Sequence, residues 1–233
     1  MRNSYQYILI ILLCAAAACK KDNYSPPSSQ LKGRLVYKGD SIGLERNQVP
    51  FQLYQRDFGT GGAINGNFTQ EGTYSVLLFS GDYRLIIPNG QGPFVWKKTS
   101  AGDPDSLTVT MKGSQTLDLE VTPYYMIRNA NFTGSGGVVT ATFSVEKVIT
   151  DPAQARDIDR VSLYINKTAF VSGSDNVGGT DLAGAAIADP AHISLSVSAP
   201  DTYPTQNYFY ARIGLKVAGV EDLIFSPVQK IQF

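Results

Sequence analysis

A single histidine, His192, stands among 233 residues and bounds the acid–base and metal chemistry open to this chain. A serine or cysteine nucleophile needs a base beside it, usually imidazole, and a third group to orient that base. His192 lies in Asp189-Pro190-Ala191-His192 and reads as an ordinary loop residue. No Gly-x-Ser-x-Gly follows a strand, and Gly134-Ser135-Gly136 reads as a glycine turn. Two carboxylates suffice for a glycosidase. The candidates are Asp57, Asp103 with Asp105, Asp157 with Asp159, and Glu221 with Asp222, all in turn-like stretches where acids cap and solvate. Asp151, Asp157 and Asp159 offer oxygens to calcium, but the Asp-x-Asp fragment lacks the rest of a binding loop. No glycine-rich phosphate loop ends in Lys-Ser/Thr. The expectation is a chain without catalysis, metal or cofactor.

Thiol chemistry points elsewhere. Cys19 closes the run Ile8-Leu9-Ile10-Ile11-Leu12-Leu13-Cys14-Ala15-Ala16-Ala17-Ala18-Cys19, with Arg2 ahead of it and Lys20-Lys21-Asp22 behind. A positive start, an apolar stretch of about a dozen residues and a small-residue cleavage site read as an export signal. The stretch is too short to span a bilayer, which needs ~20 apolar residues. A cysteine directly after Ala-Ala-Ala resembles a bacterial lipobox; Cys14, behind Leu13, fits that pattern less well. Residues 1–18 are therefore expected to be removed and Cys19 acylated, anchoring the chain to the outer membrane, on its cell-surface or periplasmic face. Several acyl chains hold firmly where one is marginal. Cys14 leaves with the signal, so one mature chain can form no disulfide and no thiolate metal site. Loss of Arg2 from 20 basic residues leaves 19 against 20 acidic ones, which gives nucleic acid nothing to bind.

The residues suited to binding are aromatic. Trp96, the lone tryptophan, sits in Pro88–Asp105 with Phe94, Lys97, Lys98, Asn89 and Gln91 around it. Two readings stand: a stacking platform ringed by amide and ammonium donors, or a ring tucked under its own loop to plug one end of a domain. In Tyr208-Phe209-Tyr210-Ala211-Arg212-Ile213-Gly214-Leu215-Lys216-Val217 the apolar residues alternate. Tyr208, Tyr210, Arg212 and Lys216 therefore share the opposite face of a strand. That face is either a ligand surface or a set of cross-strand pairs shielding the sheet. Tyr124 and Tyr125 are expected to pack between domains.

The elements that position these residues are strands. Glycine (22), proline (12), tyrosine (13) and phenylalanine (11) are plentiful, and beyond residue 30 no helical stripe exceeds about two turns. Residues 19–30 form a Pro/Ser tether. Short strands parted by turns follow, the pattern of a sandwich. They are expected at 31–37, 49–55, 64–69, 73–79, 83–87, 107–112 and 116–121. After a junction at Thr122-Pro123-Tyr124-Tyr125 a second series runs 126–133, 138–148, 158–166, 193–197, 208–217 and 223–233, with Pro227 marking an edge or bulge in the last. Gly134-Ser135-Gly136-Gly137 reads as a hairpin turn, and Asp151–Arg156 as a short helical turn opened by Asp151. The chain is all-β, with two tandem β-sandwiches at 31–123 and 124–233.

Gly33-Arg34-Leu35-Val36-Tyr37, Gly39-Asp40-Ser41-Ile42-Gly43 and Glu71-Gly72-Thr73-Tyr74-Ser75 with Gly81-Asp82-Tyr83 resemble transthyretin-like (prealbumin-like) modules of the carboxypeptidase-regulatory type. With Gly90-Gln91-Gly92-Pro93-Phe94-Val95-Trp96 and Val121-Thr122-Pro123-Tyr124-Tyr125-Met126-Ile127-Arg128-Asn129, nearly everything after residue 30 resembles a two-domain Bacteroidetes lipoprotein family of unknown function. That resemblance implies a second, immunoglobulin-like sandwich and an association with polysaccharide-utilisation genes. It leads to the expectation of an accessory glycan-binding subunit of a polysaccharide-capture system, with oligosaccharide and outer-membrane transporter or receptor proteins as partners. Trp96, Phe94, Lys97, Tyr208, Tyr210 and Arg212 are its candidate contacts. The alternative is a structural or adhesive module joining proteins at the cell envelope.

Overall fold

β-Branched and aromatic residues at every second position build strands with one buried and one wet face, and turns of glycine, proline and asparagine fold them back. The computed structural model describes residues 25–56, 61–201 and 205–233. Among these there is no α-helix, only a 3-10 turn at Gly184–Ala186. Cys14, Cys19 and Asp57 lie outside the described residues.

The first half forms two facing sheets. Ser29–Tyr37 is central in one, antiparallel to Thr73–Leu78 and parallel to Gln115–Thr116 and Leu119–Glu120. The tether is therefore shorter than expected, because Ser29 and Gln30 already pair with Leu78 and Leu77. The facing sheet runs Ile64–Asn67, Pro50–Gln55, Gly81–Ile86, Leu107–Met111, antiparallel throughout. Leu31, Leu35, Phe51, Leu53, Tyr83 and Leu85 fill the space between, all at most 1 % exposed.

The second half repeats the sandwich with different wiring. Tyr125–Ser135, Val138–Lys147 and Ile193–Ser198 form one sheet. Gly178–Ala183, Ile158–Asn166 and Tyr208–Val217 form the other, and Leu223–Phe225 and Gln229–Gln232 both pair with the far side of Tyr208–Val217. Gly136 and Gly137 (φ 56° and 76°) make the two-residue turn between Ser135 and Val138, a conformation that glycine adopts without steric cost. Two strands depart from expectation. Ser226-Pro227-Val228 splits 223–233 in two, since proline has no N–H for the ladder. Gly178–Ala183 is a strand despite a turn-like sequence.

The halves share a hydrophobic cluster that includes Trp96 and Val121 from one and Tyr125, Met126 and Ile224 from the other. Their seam is also polar. Arg128 Nη1 lies 2.5 Å from Asp40 Oδ2, Gln70 Nε2 donates to the Ala169 carbonyl (2.9 Å), and Ser172 Oγ donates to Glu45 (2.8 Å).

Candidate functional site

Pro88–Asp105, read from sequence as one long loop, is built in two parts. Phe94–Val95 pairs with Thr122–Pro123, and the Tyr124 N–H donates to the Pro93 carbonyl (3.2 Å), binding the loop to the interdomain junction. Beyond Trp96 the chain forms a small ribbon in which Asp105 and Thr99 amides donate to the Lys97 and Asp103 carbonyls (both 2.9 Å). Gly92 makes the turn with φ at 81°, and a β-carbon there would meet the Phe94 ring at 2.4 Å, so no other residue fits. The Gly92 amide donates to Asp222 Oδ2 in the second sandwich (2.7 Å). Burial pushes the Asp222 carboxyl above its ordinary range, and the Gly92 amide offsets part of that.

Where this loop meets the second sandwich lies a cleft of about 200 Å³, whose walls include Asn89, Gln91, Trp96, Lys98, Tyr124 and Arg156. Each comes from a different local cause. Tyr125 Oη donates to the Arg156 carbonyl (2.7 Å), fixing the end of a turn that Asp151 caps through the Ala153 amide (3.0 Å). Trp96 is 8 % exposed and Phe94 5 %. The indole N–H of Trp96 donates to the Asp105 carbonyl (2.8 Å). The ring thus plugs the end of the sandwich and shows little of itself to the cleft. A stacking platform in the open sense is not what the structure presents at Trp96 and Phe94.

Lys97 turns the other way. Its ammonium lies 3.7 Å from Asp105, bonds the Ser106 carbonyl (3.2 Å) and sits 5.6 Å from the Trp96 ring centre. Lys98, its neighbour, lines the cleft instead. Arg156, from the far sandwich, had no signal in the sequence that could place it here, because sixty residues of chain separate it from Trp96.

On the other candidate surface the alternation of Tyr208–Val217 holds, but the face is not open along its length. Tyr208 and Tyr210 are half-buried, edge to face at 5.9 Å, with the Lys230 ammonium 3.8 Å above the Tyr208 ring. Arg212 is a correction: it is 1 % exposed, because the first sandwich covers it. Its guanidinium donates to the carbonyls of Ser226 (2.7 Å), Leu44 (2.9 Å), Val171 (3.4 Å) and Gln70 (2.5 Å), and lies 4.4 Å from the Phe225 ring centre. Burial lowers its pKa to about 10, so it is charged at neutral pH. Arg212 holds the halves together, and its guanidinium is spent on their carbonyls. Phe170, which the sequence did not single out, is 47 % exposed with the Arg46 guanidinium 4.4 Å above its ring.

The remaining candidates do not converge. His192 is exposed with Nδ1 2.7 Å from Asp189 Oδ2. Asp159 pairs with Arg160 at 3.0 Å. Among the described residues no three His, Cys, Asp or Glu side chains gather as a metal site would require.

Comparison with known proteins agrees with this architecture. The profile described as the DUF3823 N-terminal domain, of unknown function, matches residues 29–122, and the DUF3823_C domain of unknown function matches residues 125–230. A DUF3823 structure from Parabacteroides merdae is 32 % identical with a TM-score of 0.77, covering 89 % of this chain and 100 % of its own. One from Bacteroides ovatus is 26 % identical with a TM-score of 0.75, covering 88 % and 99 %. A Bacteroides uniformis protein described as a candidate carbohydrate binder is 20 % identical with a TM-score of 0.70, covering 89 % and 100 %, and shares the fold. No curated protein matches the chain. With both halves matched in order and a relative of nearly equal extent, this chain belongs to the DUF3823 family.

Proposed function

We propose that this chain is a non-catalytic glycan-binding accessory protein, held at the outer membrane by lipid on Cys19, and that the seam cleft is where it takes sugar. The observation that carries the reading is the meeting of amide, ammonium and guanidinium donors with aromatic walls at a point to which both sandwiches contribute. Ligand sites favour such junctions, with a few polar groups set against apolar surface. A relative of the same fold described as a candidate carbohydrate binder is in keeping with it.

Affinity electrophoresis of the full chain through gels containing polysaccharides tests this. Gln91→Ala and Asn89→Ala change the cleft wall without opening the core, whereas Trp96→Ala would cost about 3–5 kcal/mol of packing and confuse folding with binding. Retardation on at least one glycan that weakens in these variants supports the proposal. Equal retardation of native and variant chains removes the cleft, and migration unaltered on every glycan removes the function.

One observation favours a second reading, that of a rigid adhesive or spacer module. Arg212 clamps the two sandwiches through four carbonyls at their interface, as a fixed strut would need. Recovery of a stable protein partner by a chain that ignores all glycans would favour it.

A further inference from the structure

The charged side chains of the cleft are of one sign. Lys98 and Arg156 both line it, and no aspartate or glutamate does. Neither cation has a carboxylate partner among the described residues. Lysine offers three donors and arginine five, with no acceptor on either. A neutral sugar presents hydroxyls, each of which donates as well as accepts, so a site shaped for it wants acceptors among its donors. The acceptors in the cleft's side-chain walls are neutral, the amide oxygens of Asn89 and Gln91 and the Tyr124 hydroxyl, and Asp222 is not among the lining residues but accepts from the Gly92 amide (2.7 Å). Donor-rich walls fit a ligand group that only accepts.

Resting on the glycan-binding reading above, we infer that the cleft selects sugars carrying a carboxylate, with Arg156 and Lys98 closing on that carboxylate and Trp96 and the Tyr124 ring bounding the sugar. Charge-assisted bonds of guanidinium and ammonium to carboxylate are about twice as strong as neutral ones. The volume of about 200 Å³ is small beside the roughly 300–1,000 Å³ of drug-sized pockets, which suits a single sugar residue or a chain end. The attraction is local, since the whole chain carries a formal net charge of +0.

The test is titration calorimetry of the full chain in mild detergent with polygalacturonate, alginate and hyaluronate, each paired with its methyl ester, which removes charge and keeps the sugar. Polyglutamate serves as the control for charge alone. At least one of the acidic glycans is expected to bind about tenfold or more tighter than its ester, with the preference lost in the Lys98→Gln/Arg156→Gln variant. Both positions are exposed, so the variant should keep the native melting temperature. Equal binding of acid and ester overturns the inference while leaving the glycan reading intact. A preference that survives the double variant, or polyglutamate bound as tightly as the glycans, overturns it too. If the acidic glycans go unbound while a neutral glycan binds, the inference falls alone; if no glycan of either kind binds, both readings fall.

Discussion

A buried guanidinium with no carboxylate in direct contact is tolerable only where other acceptors replace its water, and Arg212 has four carbonyls and an aromatic face, with Glu71 and Glu45 close enough to favour its charge. Arg212→Met should therefore lower stability by about 2–4 kcal/mol, read as a shift in urea midpoint, because those carbonyls lose their donor. Arg212→Lys should recover only part of the loss, one ammonium being unable to span the same acceptors. Asp222 behaves in the opposite sense. Its folded pKa is raised, so ionisation is costlier in the folded chain than in the unfolded one. That cost is present at neutral pH and vanishes as pH falls below the unfolded pKa. Asp222→Asn keeps an oxygen for the Gly92 amide, so it should melt at or above the native temperature at pH 7, the difference closing by about pH 4. Residue by residue, sequence alternation placed Arg212 on the correct face of its strand. It could not show that a loop from more than a hundred residues upstream would cover that face.

Strands were the most legible elements, because period-two alternation reports a half-wet sheet directly. Ile158–Asn166 and Tyr208–Val217 fall at their expected bounds. Gly178–Ala183 did not announce itself: Gly-Gly-Thr-Asp has the composition of a turn, and it pairs because Ile158–Asn166 offers it an open ladder. Its glycines are also what the site allows, since a β-carbon on Gly179 would lie 2.9 Å from the Tyr164 ring. The Pro88–Trp96 segment shows the same dependence of shape on one small residue. Gly92→Ala should destabilise by more than the ~1 kcal/mol of a simple glycine replacement and disturb the cleft, visible as a lower melting temperature together with weaker glycan retardation. A normal melt with unchanged binding would show that this turn does not shape the cleft.

At the scale of the molecule, a shared hydrophobic cluster and polar ties such as Arg128–Asp40 and Glu45–Ser172 join the sandwiches. Calorimetry should then show one unfolding transition whose calorimetric and van't Hoff enthalpies agree; two resolved peaks would mean that the seam is weaker than its contacts imply. The all-β, tandem-sandwich plan was visible in the sequence as alternating strands parted by turns. The cleft was not, because its walls are assembled from segments that only the docked halves bring together. Ser29–Tyr37 has a mechanical corollary. The first described strand lies in the middle of its sheet, bonded to Thr73–Leu78 on one flank and to Gln115–Thr116 and Leu119–Glu120 on the other. A pull arriving from upstream must slide it past all three ladders at once, in shear, instead of peeling bonds off singly. With the chain moored through lipid on Cys19 as proposed, flow or tugging would be borne by the whole sheet, and detachment should come at that mooring before the fold gives way.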